Sequence, residues 1–169
     1  MTTVLFPGSF DPFHNGHLEV VERASKLFEH VVVAVLRNPQ KAEPLFSIEE
    51  RTEMVEESLA HVDGVRIVGV ATLVVDVARD VGATAIAKGL RAVSDFENEL
   101  QMAQMNRQLS GVETVLFPST SQHAFIASRL LKEVARFGGD VREFVPKPVA
   151  DRLEAKFPRS ATGPGPVPS

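Results

Sequence analysis

The run Thr3-Val4-Leu5-Phe6-Pro7-Gly8-Ser9-Phe10-Asp11-Pro12-Phe13-His14-Asn15-Gly16-His17 passes from a short β-rich apolar stretch, through a turn, into the opening of a helix. Two prolines and a glycine make the turn tight, and Gly8 lets a ligand approach the backbone closely. His14-Asn15-Gly16-His17 then begins a helix, whose first turn offers free N–H groups and a partial positive charge and so suits phosphate. A histidine at that place can donate a hydrogen bond to a phosphoryl oxygen as negative charge builds in a transition state. Gly16 removes side-chain bulk where a nucleotide would lie. A lone histidine there is more often a solvent-facing cap. Two of them at the start of a helix that follows the first strand favour the phosphate site.

The same strand-then-helix rhythm continues along the chain. Thr3–Phe6, Val31–Leu36, Val65–Val70, Thr84–Ala87 and Thr114–Phe117 read as strands, the second with almost no alternation, as in a strand buried on both faces. Between them Gly16–Phe28, Ser47–Ala60, Leu73–Val81 and Asp95–Leu109 show helical spacing. Ser47 and Glu50 form a capping box, and Asp95 is the expected cap of the fourth helix. Strands alternating with helices predict an α/β fold with a central parallel sheet covered on both sides. Ligands in such sheets bind beyond the C-terminal strand ends, so the residues after Phe6, Leu36, Val70, Ala87 and Phe117 should converge on one crevice.

A chain of 169 residues fits one domain, placed at 1–158, with 159–169 as a disordered tail rich in Pro, Gly and small residues. The net charge of −4 gives no global attraction to nucleic acid or to an anionic membrane. With no cysteine there is no thiolate nucleophile, disulfide or Cys-based metal site. No apolar stretch approaches the ~20 residues needed to span a bilayer, and the first residues lack the marks of a signal peptide, so a cytoplasmic location is expected. A dinucleotide oxidoreductase is disfavoured because no G-x-G-x-x-G follows the first strand.

Lys88-Gly89-Leu90-Arg91 comes after the fourth strand as read above, and Asp95-Phe96-Glu97-Asn98-Glu99 leads into Gln101-Met102-Ala103-Gln104-Met105-Asn106-Arg107. Two cations flanking a glycine at a strand end would neutralise a polyphosphate; a solvated charged loop is the plain alternative. The Gly8–Pro12 turn followed by His14-Asn15-Gly16-His17 resembles the HxGH nucleotidyltransferase superfamily. The 88–91 and 95–107 clusters, with Lys132-Glu133-Val134-Ala135 and Gly138-Gly139-Asp140-Val141, narrow the resemblance to the phosphopantetheine adenylyltransferase family, over roughly residues 2–157.

That resemblance implies a Rossmann-like three-layer sandwich and the transfer of the adenylyl group of ATP to 4′-phosphopantetheine, giving dephospho-coenzyme A and pyrophosphate. It implies Mg²⁺ carried on the ATP phosphates, coenzyme A as a feedback ligand, and a homohexamer. His17, Lys41 and Arg91 would be catalytic. Ser9, Lys41, Leu73, Val74 and Lys88 would bind the acceptor. Ser9, Phe10, His17, Lys88, Gly89, Leu90, Arg91, Glu99 and the stretch His123-Ala124-Phe125-Ile126-Ala127-Ser128-Arg129 would bind ATP. In that stretch the family's ISSS-type sequence reads Ile126-Ala127-Ser128-Arg129, with Arg129 expected to strengthen the charge clamp, and His123 stands where the family usually has an aromatic residue. The loop holding Lys41 is one residue longer than usual. A superfamily member with another acceptor, or a nucleotide-binding protein without turnover, is the alternative.

The remaining residues read as structure. Phe28, Phe46, Phe96, Phe117, Phe125 and Phe137 are expected in the core. Met102 and Met105 are expected on an apolar subunit surface. His30, His61 and the glutamates 49, 50, 53, 56 and 57 are expected at the solvated surface.

Overall fold

A computed structural model describes residues 2–37 and 42–159. In chain order these form β1 (Thr3–Gly8), α1 (Asn15–Ala24), β2 (His30–Leu36), α2 (Ile48–Leu59), β3 (Val65–Val70), α3 (Val74–Asp80), β4 (Ala85–Leu90), α4 (Val93–Ser110), β5 (Glu113–Pro118), α5 (Ser128–Arg136) and α6 (Lys147–Lys156). The strands make one parallel sheet in the order β3-β2-β1-β4-β5.

Side chains alternate across this sheet. Val4, Phe6, Val31, Val33, Val35 and Ala87 pack on one side against apolar residues of α1, α2, α5 and α6. Leu5, Val32 and Ala34 face the other way, onto Val77 and Ala78 of α3. α4 lies against α3, β4 and β5, with Asn106 its one fully buried residue. The result is the three-layer α/β sandwich that the strand–helix alternation predicts.

Strand order reverses between β1 and β4, and there the sheet parts. Six residue pairs join β1 to β2, whereas β1 and β4 pair only at Val4–Ala85 and Leu5–Ile86. Pro7, which has no N–H to give, sits past the last of those pairs. The two strands thus leave a crevice at their C-terminal ends, the switch point where ligands of such sheets bind.

Several boundaries differ from the sequence reading. β4 runs on through Lys88, Gly89 and Leu90 because these pair with Leu116, Phe117 and Pro118 of β5, so the motif is strand, not the loop after it. α4 starts at Val93 with Ala92 as N-cap and no side-chain cap bond; Asp95 is not the cap but sits in the first turn, paired with Arg91 at 3.2 Å. Ser47 and Glu50 do form the capping box of α2. α6 was not foreseen; it docks on α2 through Val149, Ala150 and Leu153 and through Arg152, which reaches Glu53 and Glu57, so these two glutamates are paired. Phe46 and Phe117 are buried and Phe28 packs partly on the core, but Phe96, Phe125 and Phe137 are 39%, 60% and 89% exposed. These three lie on α4, on the loop before α5 and at the end of α5, where no described layer covers them. Arg159 pairs with Asp140 and Glu154, and residues 160–169 lie outside the described residues.

One charged side chain ties the C-terminal strand ends together. Arg51 of α2 is 2% exposed and donates to the carbonyls of Phe46 and Ser47 from Nε and to those of Ser9 and Leu36 from Nη1, the last two at 2.6 and 2.9 Å. Burial pulls its pKa below the usual arginine value while Asp11 and Glu49 push it back up. We expect Arg51→Met to cost about 3 kcal/mol in urea denaturation, because buried carbonyls lose a charged donor. An unchanged midpoint would show that Arg51 carries no such load.

Candidate active site

The turn after β1 is set by packing as much as by turn chemistry. Phe10 is 3% exposed and adopts a left-handed backbone, φ 47°, uncommon for a residue with a side chain. Its ring sits 5.3 Å from Phe6, 5.5 Å from Phe13 and 4.9 Å from His17, edge-on to the last two. A Cβ on Gly8 would lie 2.8 Å from the Phe10 ring, and one on Gly16 2.9 Å from Cε1 of His14. Both glycines therefore make room for the protein's own aromatic side chains, where the sequence suggested room for a ligand.

Polar bonds from three other elements hold this turn. The Asp11 carboxylate accepts from the amides of Leu45 and Phe46, at 2.9 and 3.0 Å, and from Lys132 Nζ of α5 at 3.0 Å. Ser128 Oγ, at the start of α5, donates to the Pro12 carbonyl at 2.9 Å. Arg51 holds the Ser9 carbonyl, as described above.

His14 and His17 cap α1 reciprocally. His14 Nδ1 accepts from the Gly16 amide at 3.0 Å, and His17 Nδ1 accepts from the His14 amide at 3.1 Å. The rings stack with centres 3.6 Å apart. A nitrogen that accepts carries no proton, so each neutral ring bears its proton on Nε2 and presents it as a donor. Burial depresses the pKa of His14 to about 3, with nearby Arg91 and His123 adding to the effect. His17 is held well below 6.5 by burial, then by His14, Arg91 and Lys88. Both histidines are neutral donors throughout the physiological range.

The cations come from β4 and the residue after it. Lys88 lies 3.4 Å from Glu99 of α4, and Arg91 bonds the Ile126 carbonyl at 2.9 Å as well as Asp95. Arg91 therefore stands at the head of α5, whose N-cap Ala127 makes no side-chain bond and whose first turn has no acid. That helix start keeps unshared N–H groups and an unopposed positive end. Ser9, Phe10, His17, Lys88, Gly89, Leu90, Arg91, Glu99 and the 123–128 stretch thus gather around the β1–β4 crevice, the α1 start and the α5 start. Arg129 does not turn inward with them: its side chain is 81% exposed and 3.9 Å from Glu133. Leu73 is the exposed N-cap of α3 and Val74 its first residue, beyond the C-terminal end of β3. Lys41 lies outside the described residues.

Arg51, Lys132 and Glu19 were not singled out by sequence reasoning as parts of the site. Arg51 and Glu19 sit on helices with no local motif around them, and only tertiary contact distinguishes them. Lys132 lies in a motif the sequence did flag, without a role. Among the described residues no group of three or more His, Asp or Glu is placed to hold a metal ion. Glu99, Asp95 and Glu19 are each engaged by a cation or histidine.

Two comparisons bear on this arrangement. Residues 5–134 match the cytidylyltransferase-like family. The phosphopantetheine adenylyltransferase of Heliobacterium modesticaldum is 47% identical over 168 residues, covering 99% of this chain and 99% of its own.

The paired histidines give the fold an acid-side weakness. Both titrate lower in the folded protein than in the unfolded chain, so below about pH 6.5 the unfolded chain binds more protons and stability falls as pH drops toward 3. The loss expected at pH 5 is on the order of 2 kcal/mol for His14, and His17 adds to it in the same direction. His14→Asn keeps an acceptor at the N-cap and should flatten the dependence of Tm on pH between 7 and 5. Equal slopes in the two proteins would refute this.

Proposed function

Because the chain belongs to the phosphopantetheine adenylyltransferase family of cytidylyltransferase-like proteins, we propose that it joins the AMP part of ATP to 4′-phosphopantetheine. The products are dephospho-coenzyme A and pyrophosphate, a step of coenzyme A synthesis. The observation that carries the reading is the meeting of one neutral, tautomer-fixed histidine with two cations where β1 and β4 part.

The chemistry follows from charge. An oxygen of the acceptor phosphate, already anionic at neutral pH, attacks the α-phosphorus of ATP in line; a new P–O bond forms as the bond to pyrophosphate breaks, and the leaving group departs with the electron pair. No strong base and no covalent adenylyl-enzyme are required. Positioning and neutralisation of charge supply the catalysis. The Nε2–H of His17 donates to an α-phosphoryl oxygen as its charge grows, acting as a hydrogen-bond donor rather than as an acid. Lys88 takes the acceptor phosphate, with Glu99 fixing its ammonium, and Arg91 takes the ATP phosphates. The open N–H groups at the start of α5 would receive the departing pyrophosphate, while the Ser128 hydroxyl, spent on the Pro12 carbonyl, holds that start against the turn. Mg²⁺ carried on the phosphates would screen their charge, held by ATP rather than by a protein cage.

The same reading assigns a cytoplasmic enzyme, a homohexamer and coenzyme A as feedback ligand. No helix among the described residues is long and apolar enough to cross a membrane. An oligomer is supported by α4, where Val93, Leu100, Met102, Met105 and Leu109 are 80%, 41%, 57%, 57% and 62% exposed, more apolar surface than a lone helix face usually shows to water.

With ATP, Mg²⁺ and a panel of phosphorylated acceptors, pyrophosphate should be released with 4′-phosphopantetheine alone. Release with another acceptor only would overturn the assignment, and ATP binding without release would mark a binding protein. His17→Ala should leave ATP affinity nearly unchanged and lower turnover about 10²–10³-fold, the scale of one oxyanion-type donor. Light scattering should give six times the monomer mass.

A further inference from the structure

The first half of the loop between β5 and α5 is held to α1 by one carboxylate that the reaction does not use. Glu19 lies on α1, two residues past His17, with its side chain 12% exposed. One oxygen accepts from Arg23 Nη1 at 3.1 Å and from the Thr120 amide at 3.3 Å. The other accepts from Thr120 Oγ1 at 3.0 Å and from His123 Nδ1 at 2.6 Å. Arg23, one turn further along α1, donates to the Pro118 carbonyl at 2.6 Å and lies over the Phe117 ring. The end of β5 is therefore tied to α1 at 117 and 118, and the loop after it at 120 and 123. Its far end is tied elsewhere, through Arg91 to Ile126 and Ser128 to Pro12. The His123 carbonyl reaches within 3.7 Å of where a Cβ on Gly16 would be, so the loop rests on the first turn of α1.

We infer that Glu19 is a positioning residue that sets the nucleotide loop 119–127 against the start of α1 and fixes which nitrogen of His123 carries the proton. The inference rests on the reading of the 123–128 stretch as part of the ATP site. An ionised carboxylate can only accept, so His123 must donate from Nδ1. In its neutral form the ring then presents Nε2 as a lone pair, the reverse of His14 and His17, which accept at Nδ1 and carry their proton on Nε2. Burial pushes the Glu19 carboxyl up, but the hydrogen bonds from His123 and Thr120 outweigh it and hold the pKa below the ordinary value, which keeps the acceptor ionised. The catalytic histidine and the nucleotide loop are in this way set by one helix. A shift of the loop relative to His17 needs the Glu19 bonds to break.

The tautomer is read first, on the ligand-free protein, by ¹⁵N–¹H correlation of histidine-labelled chain at pH 8. His123 should show a protonated Nδ1 in the wild type and revert toward Nε2–H in Glu19→Ala. An Nε2–H signature in the wild type overturns the inference whatever the enzyme binds. The second readout is kinetic. Glu19→Ala should raise the KM for ATP about tenfold, the scale of one lost charge-assisted hydrogen bond, with kcat within about twofold and the KM for the acceptor unchanged. Glu19→Gln, which keeps an acceptor oxygen without the charge, should fall between. A Glu19→Ala protein that loses kcat and both affinities together, along with Tm, assigns Glu19 a structural role only and overturns the inference. Failure of wild-type protein to bind ATP in calorimetry would instead strike the reading of the site, leaving the tautomer measurement to stand by itself.

Discussion

A buried guanidinium holds the working end of the molecule in register. Arg51 reaches the carbonyl of Ser9 after β1, the carbonyl of Leu36 at the end of β2, and those of Phe46 and Ser47 at the entry to α2. Strand ends are where a parallel sheet stops making its own hydrogen bonds, and carbonyls left there must find partners or water. A planar, permanently charged fork answers several of them from one position. The left-handed turn at Phe10 and the aromatic packing around His17 sit directly on this anchor. Asp11 supplies the complementary half, a buried carboxylate that accepts from two amides and from Lys132. The two side chains meet the same turn from opposite charge, and their proximity eases the burial of both.

Around that anchor the electrostatics divide by element. The cations are on β4 and at its exit, each with an acid of α4 beside it. The histidines are on α1, neutral because they are buried among those cations. Neutrality is what allows donors and cations to crowd together without mutual repulsion. On the proposed mechanism it also lets His17 deliver the same hydrogen bond across a wide pH range, since the donor does not titrate near neutrality.

Most of the architecture could be read from periodicity. The unbroken apolar run of β2 marked a strand covered on both faces, and Ser47 with Glu50 marked the start of α2. What failed depended on partners distant in sequence. β4 continues through Lys88 because β5 lies beside it, and no local pattern announces a neighbouring ladder. Asp95 resembles a cap, yet Arg91, four residues earlier, draws its carboxylate aside. The exposed Phe137 carries the same letter as the buried Phe46 and differs only in what lies above it. At the site, the histidines and cations were legible as residue types at strand ends. The bonds that aim them were not, because Arg51 and Glu19 look in sequence like ordinary charged positions on helix surfaces.

The imidazole caps of α1 have one more implication. α2 begins with a serine cap and carries Glu49 and Glu50 in its first turn, so its positive end is answered within the protein. α1 is capped by neutral rings whose Nδ1 atoms accept from the Gly16 and His14 amides while contributing no negative charge, and it has no acid in its first turn. The helix is thus folded but electrically incomplete. A bound phosphate would take the part that the glutamates play in α2, making the ligand the missing counter-charge of a secondary-structure element. Occupancy and helix integrity are then linked by mass action: whatever anion fills the place also fastens the helix that recognises it.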